Sequence, residues 1–152
     1  MAPNFVYETI ELDEIELIRP LWDELRLFTR DMSTHFTRYY EDLDWNERIE
    51  KFSDPAVQTR IDVAREGEGG RVVGYALASV SSERVAELGS FYVDAGFRHR
   101  GIGERLLEGV VEWMVDQDPK ECVILTAYEN EAVLPLYERF GFFPRLVMLN
   151  RK

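Results

Sequence analysis

Between Phe97 and Leu107 the chain reads Phe-Arg-His-Arg-Gly-Ile-Gly-Glu-Arg-Leu-Leu. A strand-like run, Leu88 to Val93, precedes this segment, and a helix-like run follows it. A strand, a glycine turn and a helix start together make a place for phosphate. The first amides of a helix have no internal partners, and the helix dipole adds partial positive charge there. Gly101 and Gly103 carry no Cβ, so a pyrophosphate can come close to the backbone. Arg98, Arg100 and Arg105 add cations in a chain that is otherwise acidic. Two other glycine motifs are excluded. The dinucleotide fingerprint needs a third glycine where Leu106 stands, and a P-loop needs Gly-Lys-Ser/Thr, which is absent. The plain alternative is a solvated turn ahead of an amphipathic helix.

The elements around this loop follow from periodicity. Phe5 to Ile10 reads as a first strand, and Ile15, Ile18, Trp22, Leu25 and Phe28 fall at helical spacing over about Leu12 to Thr29. Pro20 inside that pattern predicts a kink or a later start. A second helical stretch covers about Thr34 to Phe52, broken near Leu43-Asp44-Trp45. Thr59–Arg65, a hairpin turn at Glu66–Gly70, Arg71–Val80 and Val85–Asp94 read as successive strands, with Gly89 marking a bulge or a close backbone approach. The helix after the loop buries Ile102, Leu106, Leu107, Val110, Val111 and Met114 and stops before Asp118-Pro119. Cys122–Ala127 is continuously apolar, the pattern of a central strand covered on both faces. A further helix ends at Phe140 with Gly141 as a left-handed cap. Phe142 to Arg151 supplies one or two last strands. The order β-α-α-β-β-β-α-β-α-β predicts an α/β domain spanning 1–152, with a mixed twisted sheet of about six to seven strands and helices on both faces.

Composition narrows the function classes. The 152 residues are 45% hydrophobic and 31% charged, enough for one ordinary core. A net charge of −11 argues against nucleic acid. Residues 1–66 hold 16 acidic and 8 basic side chains (net −8), and residues 67–152 hold 13 and 10 (net −3). An acidic half can steer a cationic substrate or simply keep the chain soluble. Met1 to Glu11 shows no basic and apolar leader pattern, and no apolar run reaches membrane-spanning length. One cysteine, Cys122, excludes an internal disulfide and fits a reducing cytoplasm. Only His35 and His99 are present, far apart, so no metal site is expected.

The spacing Arg98-x-x-Gly101-x-Gly103 resembles the acyl-CoA pyrophosphate loop of the GCN5-related N-acetyltransferases, the GNAT family. Asn130-Glu131-Ala132-Val133-Leu134-Pro135-Leu136-Tyr137-Glu138-Arg139-Phe140-Gly141-Phe142 resembles that family's second signature. The resemblance is strongest from Glu87 to Phe143 and implies the GNAT fold, with acetyl-CoA as cosubstrate and no metal. It implies that the pyrophosphate lies on Arg98, His99, Arg100, Gly101, Ile102, Gly103 and Glu104. The pantetheine arm would pair with the Phe91-Tyr92-Val93 backbone, and Val93 would donate to the thioester oxygen. Tyr137 would protonate the leaving thiolate, its alternative being a core aromatic beside Leu134. Asn130 would cap the helix and touch the cofactor. An alkyl amine near pKa ~10.4 must lose a proton to attack. Glu87 matches the general-base position of histone-type members, its alternative being a solvated edge carboxylate. Thr126 stands where other members carry a base. Cys122 reads as a buried structural thiol rather than an acyl carrier. The first two helices would offer Trp22, Asp31, His35, Phe36, Tyr39, Tyr40, Asp44 and Trp45 to an acceptor. The expected function is acetyl transfer to a primary amine by direct attack in a ternary complex. The acceptor class is a polyamine, an aminoglycoside-like compound or a peptide amine. The competing function is a non-catalytic acyl-CoA-binding or sensing domain on the same fold. A homodimer is expected by analogy, with neither nucleic acid nor membrane as partner.

Overall fold

Five strands form one sheet in sequence order, β1-β2-β3-β4-β5, in a computed structural model that describes residues 4–152. Met1–Pro3, the start of the stretch read for a leader, lie outside the described residues. Strands β1 (Phe5–Ile10), β2 (Gln58–Glu66), β3 (Val72–Val80) and β4 (Val85–Val93) pair antiparallel, and β5 (Glu121–Ile124) pairs parallel to β4. The helices are α1 (Arg19–Met32), α2 (Thr37–Glu41), α3 (Trp45–Ile49), α4 (Ile102–Asp116) and α5 (Leu134–Arg139). Among the described residues no helix is long and apolar enough to cross a membrane.

Local chemistry explains most boundaries. Leu12–Ile18 forms a 3₁₀ turn and α1 begins at Arg19, which puts Pro20 in the first turn, where a missing N–H costs nothing. The second helical stretch breaks as expected: the Asp44 carboxylate accepts from the Glu47 N–H at 3.3 Å and starts α3. The sheet is filled on both faces. On one face Ile102, Leu106, Leu107, Val110 and Met114 of α4 pack on Val73, Ala76, Ala86 and Leu88, with Tyr137 of α5 beside them. On the other, Ile18, Leu21, Trp22 and Trp45 pack on Ile61, Val63, Tyr75 and Leu77.

Two expectations are corrected. The sheet has five strands rather than six or seven, because Phe142–Arg151 forms none and pairs with no strand, and Pro144 removes one donor. The apolar run at 122–127 is not a central strand but an edge, and only its first part is paired. Its apolar character comes from Cys122 and Ile124 packing on the α4 side. The central strand is β3, buried almost throughout between β2 and β4.

Candidate active site

The sheet opens where β4 and β5 part. Their ladder covers only Val85–Leu88 against Glu121–Ile124, while β4 continues to Val93. The parting begins at Gly89, which is the extra residue of a bulge: Leu77 pairs with Ser90 and Ala78 with Leu88. The bulge shifts which residues face which side. Beyond it Phe91 and Val93 turn to the α4 face, and Tyr92 to the α1 face. Glu87 sits ahead of the bulge on the α1 side, where Lys51 Nζ lies 3.7 Å from its carboxylate. The Asp94 N–H donates to the Val73 carbonyl at 2.8 Å. Successive N–H groups of a strand point to opposite edges, so those of Val93 and Phe91 face the opened side.

The glycine loop ends at the same opening. Gly101 adopts a left-handed conformation, φ 80°, directly before α4, and His99 does likewise at φ 62°. The first bond of the helix runs from Arg105 N–H to the Gly101 carbonyl at 3.1 Å. The amides of Ile102, Gly103 and Glu104 therefore have no intrahelical partner and form an anion-ready end. A Cβ on Gly103 would stand 3.0 Å from Cζ of Phe91, so its absence lets the helix start settle on the strand. The three arginines do not gather there. The Arg98 Nε donates to the Val93 carbonyl at 3.1 Å, and its guanidinium covers Tyr92 and Phe28. Arg100 lies over Phe97 and Arg105 over Tyr7. Glu104 pairs with Arg139, tying the start of α4 to the end of α5.

Tyr137 joins this group from α5. Its ring centroid is 6.2 Å from that of Phe91, and the residue is 8% exposed. Burial pushes its phenol well above the ordinary range, so it holds its proton at neutral pH. Tyr137 is thus a core aromatic that also borders the opening. Pro135 lies in the first turn of α5, where it does no harm. Asn130 stands ahead of the 3₁₀ turn Glu131–Val133, but its side chain makes no capping bond, which corrects the capping role expected for it. Gly141, φ 89°, closes α5 as expected.

On the α1 side the structure adds residues that local sequence patterns did not single out. The Arg48 guanidinium donates to the Gly89 carbonyl at the bulge. The Tyr75 hydroxyl and Ser90 Oγ share a buried hydrogen bond of 2.6 Å. Thr34 donates through N–H and hydroxyl to the two Glu129 oxygens, at 2.7 and 2.6 Å, joining the α1–α2 loop to the β5–α5 loop. Those bonds hold the Glu129 carboxyl below its usual range. Contacts spanning 41 and 95 residues leave no short-range signal. Several of the residues read as possible acceptor contacts have partners within the fold. Trp22 and Trp45 meet edge-to-face in the core, ring centroids 5.3 Å apart, and Asp44 caps α3. Asp31 is held by Arg30 at 2.9 Å, and Tyr39 and Tyr40 pack edge-on at 5.1 Å. Burial raises the Cys122 thiol, which suits a structural role.

The description "Acetyltransferase (GNAT) family" belongs to a family model that matches residues 20–142. N-alpha-acetyltransferase 30 of Xenopus laevis is 28% identical over 138 residues, covering 89% of this chain and 47% of that protein. Its human namesake is 40% identical over 50 residues, 33% of this chain and 14% of that one. The chain thus spans less than half the length of these relatives. Among solved structures, a putative acetyl transferase from Pyrococcus furiosus superposes with a TM-score of 0.73 at 22% identity, covering 97% of this chain and 99% of that one. The aminoglycoside N-acetyltransferase AAC(6')-Iy, solved in complex with CoA, superposes with a TM-score of 0.63 at 20% identity, covering 97% and 98%. A parted β4–β5 pair, a glycine-led helix start and a family match over most of the chain agree: this protein belongs to the GNAT acetyltransferase family.

Proposed function

We propose that the chain is an acetyl-CoA-dependent N-acetyltransferase that moves an acetyl group to a primary amine by direct attack in a ternary complex. The observation that carries this reading is the opened edge of β4, with the bare start of α4 at one end and the buried Tyr137 beside it. The donor set fits acetyl-CoA. The free amides of Ile102, Gly103 and Glu104 suit a pyrophosphate, with no Cβ from Gly101 or Gly103 in the way. The outward amides of Phe91 and Val93 suit an extended amide-bearing arm. Acetyl-CoA supplies the activated thioester, and the remaining work falls to the chain. The Val93 N–H holds the carbonyl oxygen as charge develops on it. The Tyr137 hydroxyl gives its proton to the departing sulfur. Glu87 takes the proton of the incoming amine, directly or through water.

A cationic acceptor is supported by the acidic first half of the chain and by Glu87 itself, which already holds the ammonium of Lys51. An acceptor amine competes with that ammonium for the same carboxylate. The test is CoA thiol release from acetyl-CoA with pooled polyamines, aminoglycosides and peptides at mildly alkaline pH. Release that depends on one pool supports the reading and leads to the acceptor. Saturable acetyl-CoA binding without release from any pool overturns it in favour of a sensing domain.

A further inference from the structure

Of the 18 Lys and Arg side chains, three are lysines: Lys51, Lys120 and Lys152. The choice matters opposite Glu87. An arginine there would be a permanent cation, whereas a lysine amine can lose its proton and become a nucleophile. Lys51 stands in the 3₁₀ turn Glu50–Ser53 that follows α3, and Phe52, fully in the core, anchors that turn. Arg48, one turn earlier, donates to the Gly89 carbonyl, so Arg48 and Lys51 meet β4 at Gly89 and Glu87. The Lys51 ammonium lies 3.7 Å from the Glu87 carboxylate, with side chains 41% and 23% exposed. A pair so loose and so wet contributes little to stability, so folding alone does not account for a lysine at this place. Lys120 precedes β5 at the far end of the β4–β5 ladder, away from the opening.

We propose that Lys51 is a self-acetylation site, resting on the transfer reading and on Glu87 as its base: the chain moves the acetyl group of acetyl-CoA to its own Lys51 Nζ. With Glu87 as base, an acceptor amine must stand within reach of that carboxylate to give up its proton, and the amine of Lys51 stands there already. The parting of β4 and β5 begins at Gly89, two residues beyond Glu87, about 7 Å along a strand. The lysine's exposed four-carbon stem is flexible and can carry the amine that way. In the transfer, Glu87 takes one proton from the ammonium, and the Nζ lone pair forms a C–N bond to the acetyl carbonyl carbon. The C–S bond breaks, and the sulfur leaves with its electron pair and takes the Tyr137 proton as the CoA thiol. The second proton on nitrogen restores Tyr137 through solvent, and Glu87 releases its own proton to water. Acetyl-Lys51 carries no charge, which frees the Glu87 carboxylate for an incoming amine.

The full chain is incubated with acetyl-CoA alone near neutral pH, and acetyl groups on the three lysines are followed by tandem mass spectrometry. Lys120 and Lys152, both exposed, report acetylation by unassisted chemistry. Lys51 is expected to be acetylated about 100-fold faster than either, the low end of what a positioned base contributes, at a rate per chain independent of protein concentration. Glu87→Gln is expected to bring Lys51 down to the rate of the other two. Equal rates at the three lysines, a Lys51 rate that rises with protein concentration, or one that Glu87→Gln leaves unchanged overturns the proposal. A parallel arm adds the pooled amines. CoA release with those amines while Lys51 stays unmodified overturns self-acetylation and leaves the transfer reading standing. Acetyl-CoA binding with neither release nor acetyl-Lys51 overturns both. The comparison among the three wild-type lysines stands even where Glu87→Gln fails to fold.

Discussion

Tyr137 and Glu87 approach the parting of β4 and β5 from different sides of the sheet, and each is held by a different kind of contact. Tyr137 is set by burial against Phe91 and the α4 core. Glu87 is set by charge, through Lys51. Their substitutions should therefore fail differently. Tyr137→Phe keeps the packing and removes the proton, so kcat should fall by about 100-fold, at the low end of the effect of a general acid, with the KM for acetyl-CoA little changed. Glu87→Gln should lose most of its rate near neutral pH and recover as the pH approaches ~10, where an alkyl amine begins to attack unaided. A pH–rate profile of both variants checks this pair, and equal loss for Glu87→Gln at every pH sinks the assigned base. Lys51→Ala frees the carboxylate and should lower the KM for a cationic acceptor.

At the scale of elements, the site depends on how closely α4 sits on the sheet. Gly74 on β3 brings the helix in: a Cβ there would stand 3.2 Å from both Ile102 and Leu106. Gly74→Ala overpacks this contact and should destabilise the fold by about 1–3 kcal/mol, read from the urea midpoint. Gly103→Ala presses on Phe91 at 3.0 Å instead, next to the free amides. Its effect should fall on acetyl-CoA affinity, measured by titration, more than on the melting midpoint. The bulge at Gly89 has a comparable role in the sheet. It parts the ladder and turns Phe91 and Val93 toward α4 while leaving Glu87 facing Lys51. One inserted residue thus serves two sides of one opening.

Across the whole molecule, two cores hold the sheet from opposite faces, and each contains a buried tyrosine with a raised pKa, Tyr75 on one side and Tyr137 on the other. The folded chain keeps these protons at a pH where the unfolded chain, titrating near ~10, has lost them. Stability is therefore complete below about pH 10 and falls as the pH rises further, because the unfolded state then binds fewer protons. Urea midpoints should stay level from about pH 7 to 9 and drop above 10, with a shallower drop in Tyr75→Phe. That variant should also cost about 1 kcal/mol throughout, since Ser90 loses its partner. The sequence by itself determined whatever short-range patterns encode. Helix starts and stops at Pro20, Asp44 and Gly141 were legible there, as were the strand–glycine–helix order around Gly101, the bulge at Gly89 and the family signature around Tyr137. Each depends on residues within a few positions of one another, where propensity and capping act. Tertiary structure alone decided the rest. It made β5 an edge and left 142–151 without a strand, because pairing depends on which neighbours the sheet supplies. It assigned Trp22, Trp45 and Asp44 to the scaffold, and brought Arg48 to Gly89 and Thr34 to Glu129. Those contacts join chain segments 41 and 95 residues apart, and no local periodicity carries information over that span.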